Sequence, residues 1–253
     1  MKRFLLSISL IAAAPLFAQA QGAGNLLQAG LDAINSATLS NAQVVQLSKQ
    51  AVKQMDAQNP VAGPSDPYTQ RLNRIVRRHQ TISGIPINYK VYLVKDVNAF
   101  ATADGSVRVF KGLMDLMTDT ELLAVMGHEM GHVVNQDTRD AMKSSLRRSA
   151  VRNAVAANSG TIGALARGQA GGVADYLLGA KFSRQQETEA DDYSYGFLKK
   201  YGYNVVALAT SFEKLAAQGG GGGGLSTIVS DHPDSKARAQ RVRDRARRDG
   251  LLR

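Results

Sequence analysis

The chain has 253 residues, with 31 Lys and Arg against 21 Asp and Glu, and neither cysteine nor tryptophan. At 44% hydrophobic and 21% charged its composition is globular, and its length suffices for one large or two small domains with a core. Without a thiol there is no disulfide framework, cysteine zinc finger, iron–sulfur centre, thiol nucleophile or cysteine-linked lipid, while the net charge of +10 makes nucleic acid the first partner to test.

Lys2 and Arg3, the apolar run from Phe4 to Phe17 and the small-x-small pattern Ala18-Gln19-Ala20 read as a secretory signal peptide over residues 1–20. That run of about 14 residues is shorter than the roughly 20 a membrane span needs. Nothing later in the chain reads as a transmembrane helix. Export places the chain in the periplasm, away from nucleic acid. Losing Lys2 and Arg3 lowers the charge from +10 to +8, and the surplus then faces anionic envelope or outer-membrane components.

Residues 21–60 read as an N-terminal helical segment, carried by Leu26, Leu27, Leu31, Ile34, Val44, Val45, Leu47, Val52 and Met55. Asn59-Pro60, Pro64 and Pro67 break it, and residues 61–253 form the main domain, with 21–60 packed on it. Tyr68 to His79 is a basic amphipathic helix. Asn88 to Val94 alternates as a strand, and Asp104-Gly105 between two short strand runs marks a hairpin. Thr118 and Glu121 form a capping box that starts a helix running to about residue 136. Arg139, Lys143, Arg147, Arg148 and Arg152 make a basic stripe, read chiefly as a solvated face. Residues 154–174 are rich in Ala and Gly, residues 185–200 are helical, and Gly219 to Gly224 form a flexible tether. A basic helix closes the chain from Lys236. No sequence feature specifies an oligomeric state.

The chemistry lies in Gly127-His128-Glu129-Met130-Gly131-His132. Histidines at i and i+4 share a helix face, so both imidazoles reach one ion, while Glu129 addresses water at that ion. Only four histidines occur in the chain, and a chance match is on the order of one in a hundred. Gly127 and Gly131 each cost the helix about 1 kcal/mol relative to Ala, which points to close packing or function. A catalytic zinc needs a third protein ligand. Asn135 and Thr138 stand where a metzincin would have glycine and histidine, so that subclass is excluded. His79, His232 and a carboxylate from a second helix are left. Glu187 and Asp191, again i and i+4, offer a ligand and a hydrogen-bond acceptor for a ligand histidine; an acidic helix surface is the plain alternative.

Taken together, several blocks resemble the HtpX/BepA/LoiP family of gluzincin zinc metallopeptidases, related to the CAAX prenyl endopeptidases, with LoiP-type exported members most alike. They are Asp96-Val-Asn98-Ala99-Phe100-Ala101, Gly112-Leu-Met-Asp-Leu-Met, His128-Glu-Met-Gly-His132, Phe182-Ser-Arg, Glu187-Thr-Glu-Ala190-Asp191 and Asp231-His232-Pro233. The resemblance implies an α+β, mainly α-helical fold of the zincin type, with a small antiparallel sheet beside the active-site helix. It implies one Zn2+ held by His128, His132 and Glu187, Glu129 as general base and acid, and Asp191 supporting a ligand histidine. Asn98, Ala99, Phe100 and Ala101 match the edge strand to which substrate backbone adds. His232 matches a histidine that in some members gates the metal, and Arg238 an arginine near the cleft, suited to an oxyanion. The glycine tract would let the His232 loop swing onto and off the zinc.

The implied activity is a metalloendopeptidase that cleaves unfolded or misassembled envelope proteins in quality control. An assembly factor with chaperone-like activity and a latent, His232-gated site is the alternative. This chain departs from its likenesses in three ways. It lacks a cysteine after the signal and so a direct lipid anchor, it lacks the disulfide cysteines, and it has Asp137 where relatives often carry a further histidine.

Overall fold

Ser40 opens the first described helix: its hydroxyl accepts from the Gln43 amide while the Gln43 side chain accepts from Ser40 N–H. The computed structural model describes residues 40–144, 181–218, 228, 232 and 234–252. The signal segment, the first part of the N-terminal helical segment, Arg147, Arg148, Arg152, the 154–174 stretch and the glycine tract lie outside the described residues. In chain order the elements are α1 (Asn41–Gln58), α2 (Pro67–Val76), β1 (Thr81–Ile82), β2 (Ile85–Pro86), β3 (Asn88–Tyr92), β4 (Ala99–Ala101), β5 (Ser106–Phe110), α3 (Lys111–Leu116), α4 (Asp119–Val134), α5 (Arg184–Lys200), α6 (Val206–Gln218) and α7 (Ser235–Arg248). The chain is mainly helical, and no described helix is long and apolar enough to cross a membrane.

The Asp104-Gly105 turn forms as its sequence predicts: β4 and β5 pair antiparallel, with Phe100 opposite Arg108. The sheet is nevertheless mixed. The strand order is β3-β5-β4, and β3 runs parallel to β5, with Asn88 opposite Ser106 and Tyr92 opposite Phe110. The chain crosses after β3 to lay β4 at the far edge, and the hairpin then returns β5 into the middle. The edge beyond β3 is covered by the chain at Pro60–Ala62, where Leu93 N–H donates to Pro60 O and Ala62 N–H to Val91 O. Among the described residues β4 pairs on one side only.

Alternation along the strands separates two cores. Ala99, Ala101, Val91, Val107 and Val109 join the larger cluster, with α4, α5, α6 and α7. Tyr92, Phe100 and Phe110 face the other way, against Val44, Ala51, Val52 and Met55 of α1 and against Met142. A partly buried ionic clamp ties α1 to this face. Asp56 accepts from Arg108 Nε at 2.7 Å and Nη2 at 3.0 Å, from Lys90 Nζ at 2.7 Å and from Tyr92 OH at 2.8 Å. Arg71 of α2 fixes the approach to α4, donating to Asp119 and to the Met114 and Met117 carbonyls.

α4 is the central element. Of its 16 residues, those from Glu121 to Val133 are all buried, Glu121, His128, Glu129 and His132 among them. Its capping box at Thr118 and Glu121 is present, and Lys214 of α6 holds Glu121 at 2.6 Å. α5 crosses α4 where the glycines fall. A Cβ on Gly131 would lie 2.8 Å from Ala190 Cα, and one on Gly127 would lie 2.9 Å from Ser194 Oγ, which donates to Ala124 O. The glycines therefore set the separation of the two site-bearing helices.

Candidate metal centre

α4 presents His128, Glu129 and His132 toward α5, whose Ser183–Gln186 capping box starts the helix so that Glu187 and Asp191 face back. The Nε2 atoms of His128 and His132 are 3.1 Å apart. Glu187 Oε1 lies 3.5 Å from His132 Nε2, and Glu187 Oε2 lies 3.5 Å from His128 Nε2. His232 enters from the segment before α7, its Nδ1 at 2.8 Å from Glu187 Oε1 and 3.2 Å from His128 Nε2. One donor atom from each of these four buried residues lies within 4.8 Å of the other three. A tetrahedral ion bonded to nitrogen and oxygen at about 2.0–2.1 Å has donor–donor edges of about 3.4 Å, close to those seen.

Charge argues the same way. Glu129, Asp137, Glu187 and Asp191 surround the histidines, and Arg238 is the one buried guanidinium among the described residues of the cluster. Among the described residues, Glu129 Oε1 and Glu187 Oε2 have no hydrogen-bond partner. Arg238 Nη1 does lie 2.6 Å from Glu187 Oε2, but off the hydrogen-bonding direction, so it supplies charge and leaves the lone pair free. Buried carboxylate oxygens without donors are costly unless a cation completes them. The set fits a metal ion.

Protonation reflects these surroundings. Burial, helped by Arg238, lowers His128 to about 3, leaving the neutral imidazole that a metal takes. Burial raises Glu129, which suits a base. For His132 burial acts downward, but Asp137 and Glu187 overcome it and raise the pKa to about 9. Burial also opposes the charge on Glu187 and Asp191. Hydrogen bonds with His132 and His232 still hold Glu187 below the usual carboxylate range, and those with His128 and Arg238 hold Asp191 at about 2.

Asp191 receives His128 Nδ1 at 2.9 Å and a two-pronged Arg238, at 3.0 Å from Nε and 2.6 Å from Nη2. The Arg238 guanidinium also lies over the Phe212 ring, 4.1 Å from its centroid, while its Nε and Nη2 donors are engaged by Asp191. Asn98 bonds its own neighbour, Oδ1 accepting from Ala99 N–H, and Ala99, Phe100 and Ala101 form β4, the strand packed on α4. His79 stands apart among Phe197, Tyr201 and Tyr203, a core histidine whose Nε2 lies 3.2 Å from Tyr203 OH. The sequence alone gives no role to Asp137, 2.9 Å from His132 Nδ1, to Gln186, or to Phe182, stacked on the His132 ring at 3.8 Å. An acidic residue five positions after the second histidine is the one available signal for Asp137.

A buried His-His-Glu cluster bridging two helices, with a glutamate inside the motif, defines a zincin-like metallopeptidase. The family model for peptidase family M48 matches residues 67–246, and the chain belongs to that family. It is 45% identical over 234 residues to the metalloprotease LoiP of Escherichia coli, covering 92% of each chain. It is 44% identical over 220 residues to the metalloprotease YcaL of the same organism, covering 87% of this chain and 86% of that one. A β-barrel assembly-enhancing protease of Escherichia coli is 30% identical over 245 residues, spanning 92% of this chain and 49% of the relative. The protein is a metalloendopeptidase.

Proposed function

We propose that the chain is an exported zinc endopeptidase of the periplasm, stationed against the outer membrane, that cleaves unfolded or misassembled envelope proteins. The observation that carries the chemistry is the buried four-donor cluster with Glu129 Oε1, unpartnered among the described residues, beside it. His128, His132 and Glu187 hold the ion. Zinc bound there would polarise the scissile carbonyl and bring the pKa of water to about 7. Glu129 accepts the proton from water as its oxygen bonds to the carbonyl carbon, then returns it to the departing amide nitrogen as the C–N bond breaks. β4, paired on one side among the described residues, takes the substrate backbone as an added strand through Asn98–Ala101, a mode indifferent to side-chain sequence and suited to unfolded chains. The envelope role draws on the signal-like N-terminus and on the half-matched relative named for β-barrel assembly.

Contact with anionic envelope components rests on the mature charge. α7 contributes less to it than its sequence suggests, because Arg238, Arg241, Arg243, Arg245 and Arg247 are all in ion pairs. Nucleic acid is not a partner in this reading.

The test uses the chain from residue 21 with casein as an unfolded substrate. One zinc per chain and turnover are expected, with chelation abolishing activity and zinc restoring it. Glu129→Gln should keep the zinc and lose turnover by 10²- to 10⁴-fold, on the order of what a general base supplies. Retained turnover would refute the mechanism. The latent-peptidase reading is favoured by one observation, the seating of His232 among the donors at 8% exposure. On that reading His232→Ala raises turnover; on the simpler one it does not.

A further inference from the structure

The two motif histidines are oriented by different carboxylates. His128 is served by Asp191, on the helix that carries Glu187. His132 is served from its own side of the site, by Asp137, whose Oδ2 lies 2.9 Å from His132 Nδ1. Asp137 is 5% exposed and stands just past the end of α4. It reaches back because Gln136 adopts φ +70°, turning the chain where the helix would otherwise carry on. Its second oxygen, Oδ1, accepts from Gln186 Nε2 at 3.0 Å. Gln186 is a shared part: its Oε1 accepts from Ser183 N–H at 2.9 Å to cap α5, and the next residue is Glu187.

We propose that Asp137 is a positioning residue for the metal, and that Gln186 locks it to the helix that delivers Glu187. With the Nδ1 proton of His132 directed at a carboxylate, the ring holds the tautomer whose Nε2 lone pair points into the cluster, and that nitrogen becomes the more basic donor. Phe182, stacked at an interplanar angle of 14°, restrains the same ring on its face. His132 is wholly buried, so water offers no substitute for Asp137. A residue merely capping the helical turns that begin at residue 137 would direct these oxygens to their backbone N–H groups, whereas both are engaged by side chains of the site.

The inference rests on the reading that His132 binds the ion, and the experiment separates the two. Zinc affinity is measured on the chain from residue 21 by competition with a chromogenic chelator, with the melting temperature of the metal-free protein read alongside. Asp137→Ala should weaken zinc 10- to 100-fold, roughly the effect of losing an outer-shell partner. Asp137→Asn, still an acceptor but uncharged, should fall between, and Asp137→Glu should recover part of the loss. Gln186→Ala should weaken zinc severalfold while leaving Asp137 in place. A merely structural Asp137 would lower the melting temperature and leave the affinity of the folded protein unchanged, and that result overturns the proposal. If Asp137→Ala does not fold, unchanged affinity in both Asp137→Asn and Gln186→Ala overturns it instead. His132→Ala runs in parallel. Wild-type affinity in that variant sinks the site reading and this inference with it; loss there without loss in the Asp137 variants sinks this inference alone.

Discussion

Two ionic clusters, one partly buried and one fully buried, lie on opposite faces of the same three-stranded sheet, and they are built on opposite rules. At the α1 face one carboxylate, Asp56, meets two cations, and both its oxygens receive donors, while Arg108 Nη1 goes on to the carbonyls of Asn88 and Val107. At the α4 face, among the described residues, four carboxylates meet one buried guanidinium, and two carboxylate oxygens accept nothing. The first is a closed ledger that holds a helix down. The second is complete only with a further positive charge. Unsatisfied buried oxygens thus distinguish the site from a clamp made of similar residues, which a count of charges along the sequence does not.

The sharpest way to break the contrast is to open the closed cluster. Asp56→Ala strands Arg108, 2% exposed, without its anion and should cost about 3–5 kcal/mol in urea unfolding. Acid should do the same in part. Arg108 and Lys90, against the opposing effect of burial, hold Asp56 at about 2, below its ordinary 3.8. A depressed carboxylate stabilises the fold fully above its unfolded pKa, and that share is lost as pH falls from about 4 through 2. The stability gap between wild type and Asp56→Ala should therefore narrow over that window; a constant gap would contradict the assignment.

Gly131→Ala addresses the other face. Its new methyl meets Ala190 at 2.8 Å, so α5 must give way, with an expected loss of about 1–3 kcal/mol and weaker zinc binding, since Glu187 moves with α5. Glu129→Gln should sharpen the contrast in the opposite sense. Burial already disfavours the Glu129 charge, so the neutral amide should leave metal-free stability unchanged or higher, where a clamp residue would lose it. The smallest loss belongs to Tyr92→Phe, about 1 kcal/mol, because Asp56 Oδ1 keeps Arg108 after losing the hydroxyl.

Much of the site is legible in the sequence because its parts are local. His128 and His132, Glu187 and Asp191, Thr118 and Glu121, and the Asp104-Gly105 turn each work within one helical turn or one hairpin, the range over which a sequence pattern is geometry. What escapes is non-local. The parallel pairing of β3 with β5 leaves no mark in either strand's alternation. α6 is hidden too: Ala207, Leu208 and Ala209 are all buried and blur the helical period. The basic run of α7 reads as an envelope-facing stripe, because Asp191, Asp192 and Glu213, which pair with four of its arginines, lie on other helices. Asp137 escapes for a backbone reason: its position depends on the left-handed turn at Gln136, a conformation glutamine rarely signals.

The first turns of α5 leave a particular imprint on how this sequence can vary. Gln186 reaches Asp137, Glu187 joins the donor cluster, Ala190 fits against Gly131, and Asp191 receives His128. Four separate tasks sit on one face within six residues. Each residue added to a helix rotates the remainder of that helix by about 100°. A single insertion or deletion between Ser183 and Gln186 would therefore turn all four away together, while substitutions at Gln185, Glu189 or Asp192, which point outward, would be absorbed. Descendants of this chain should drift by substitution along the outer face of α5 and keep its length fixed.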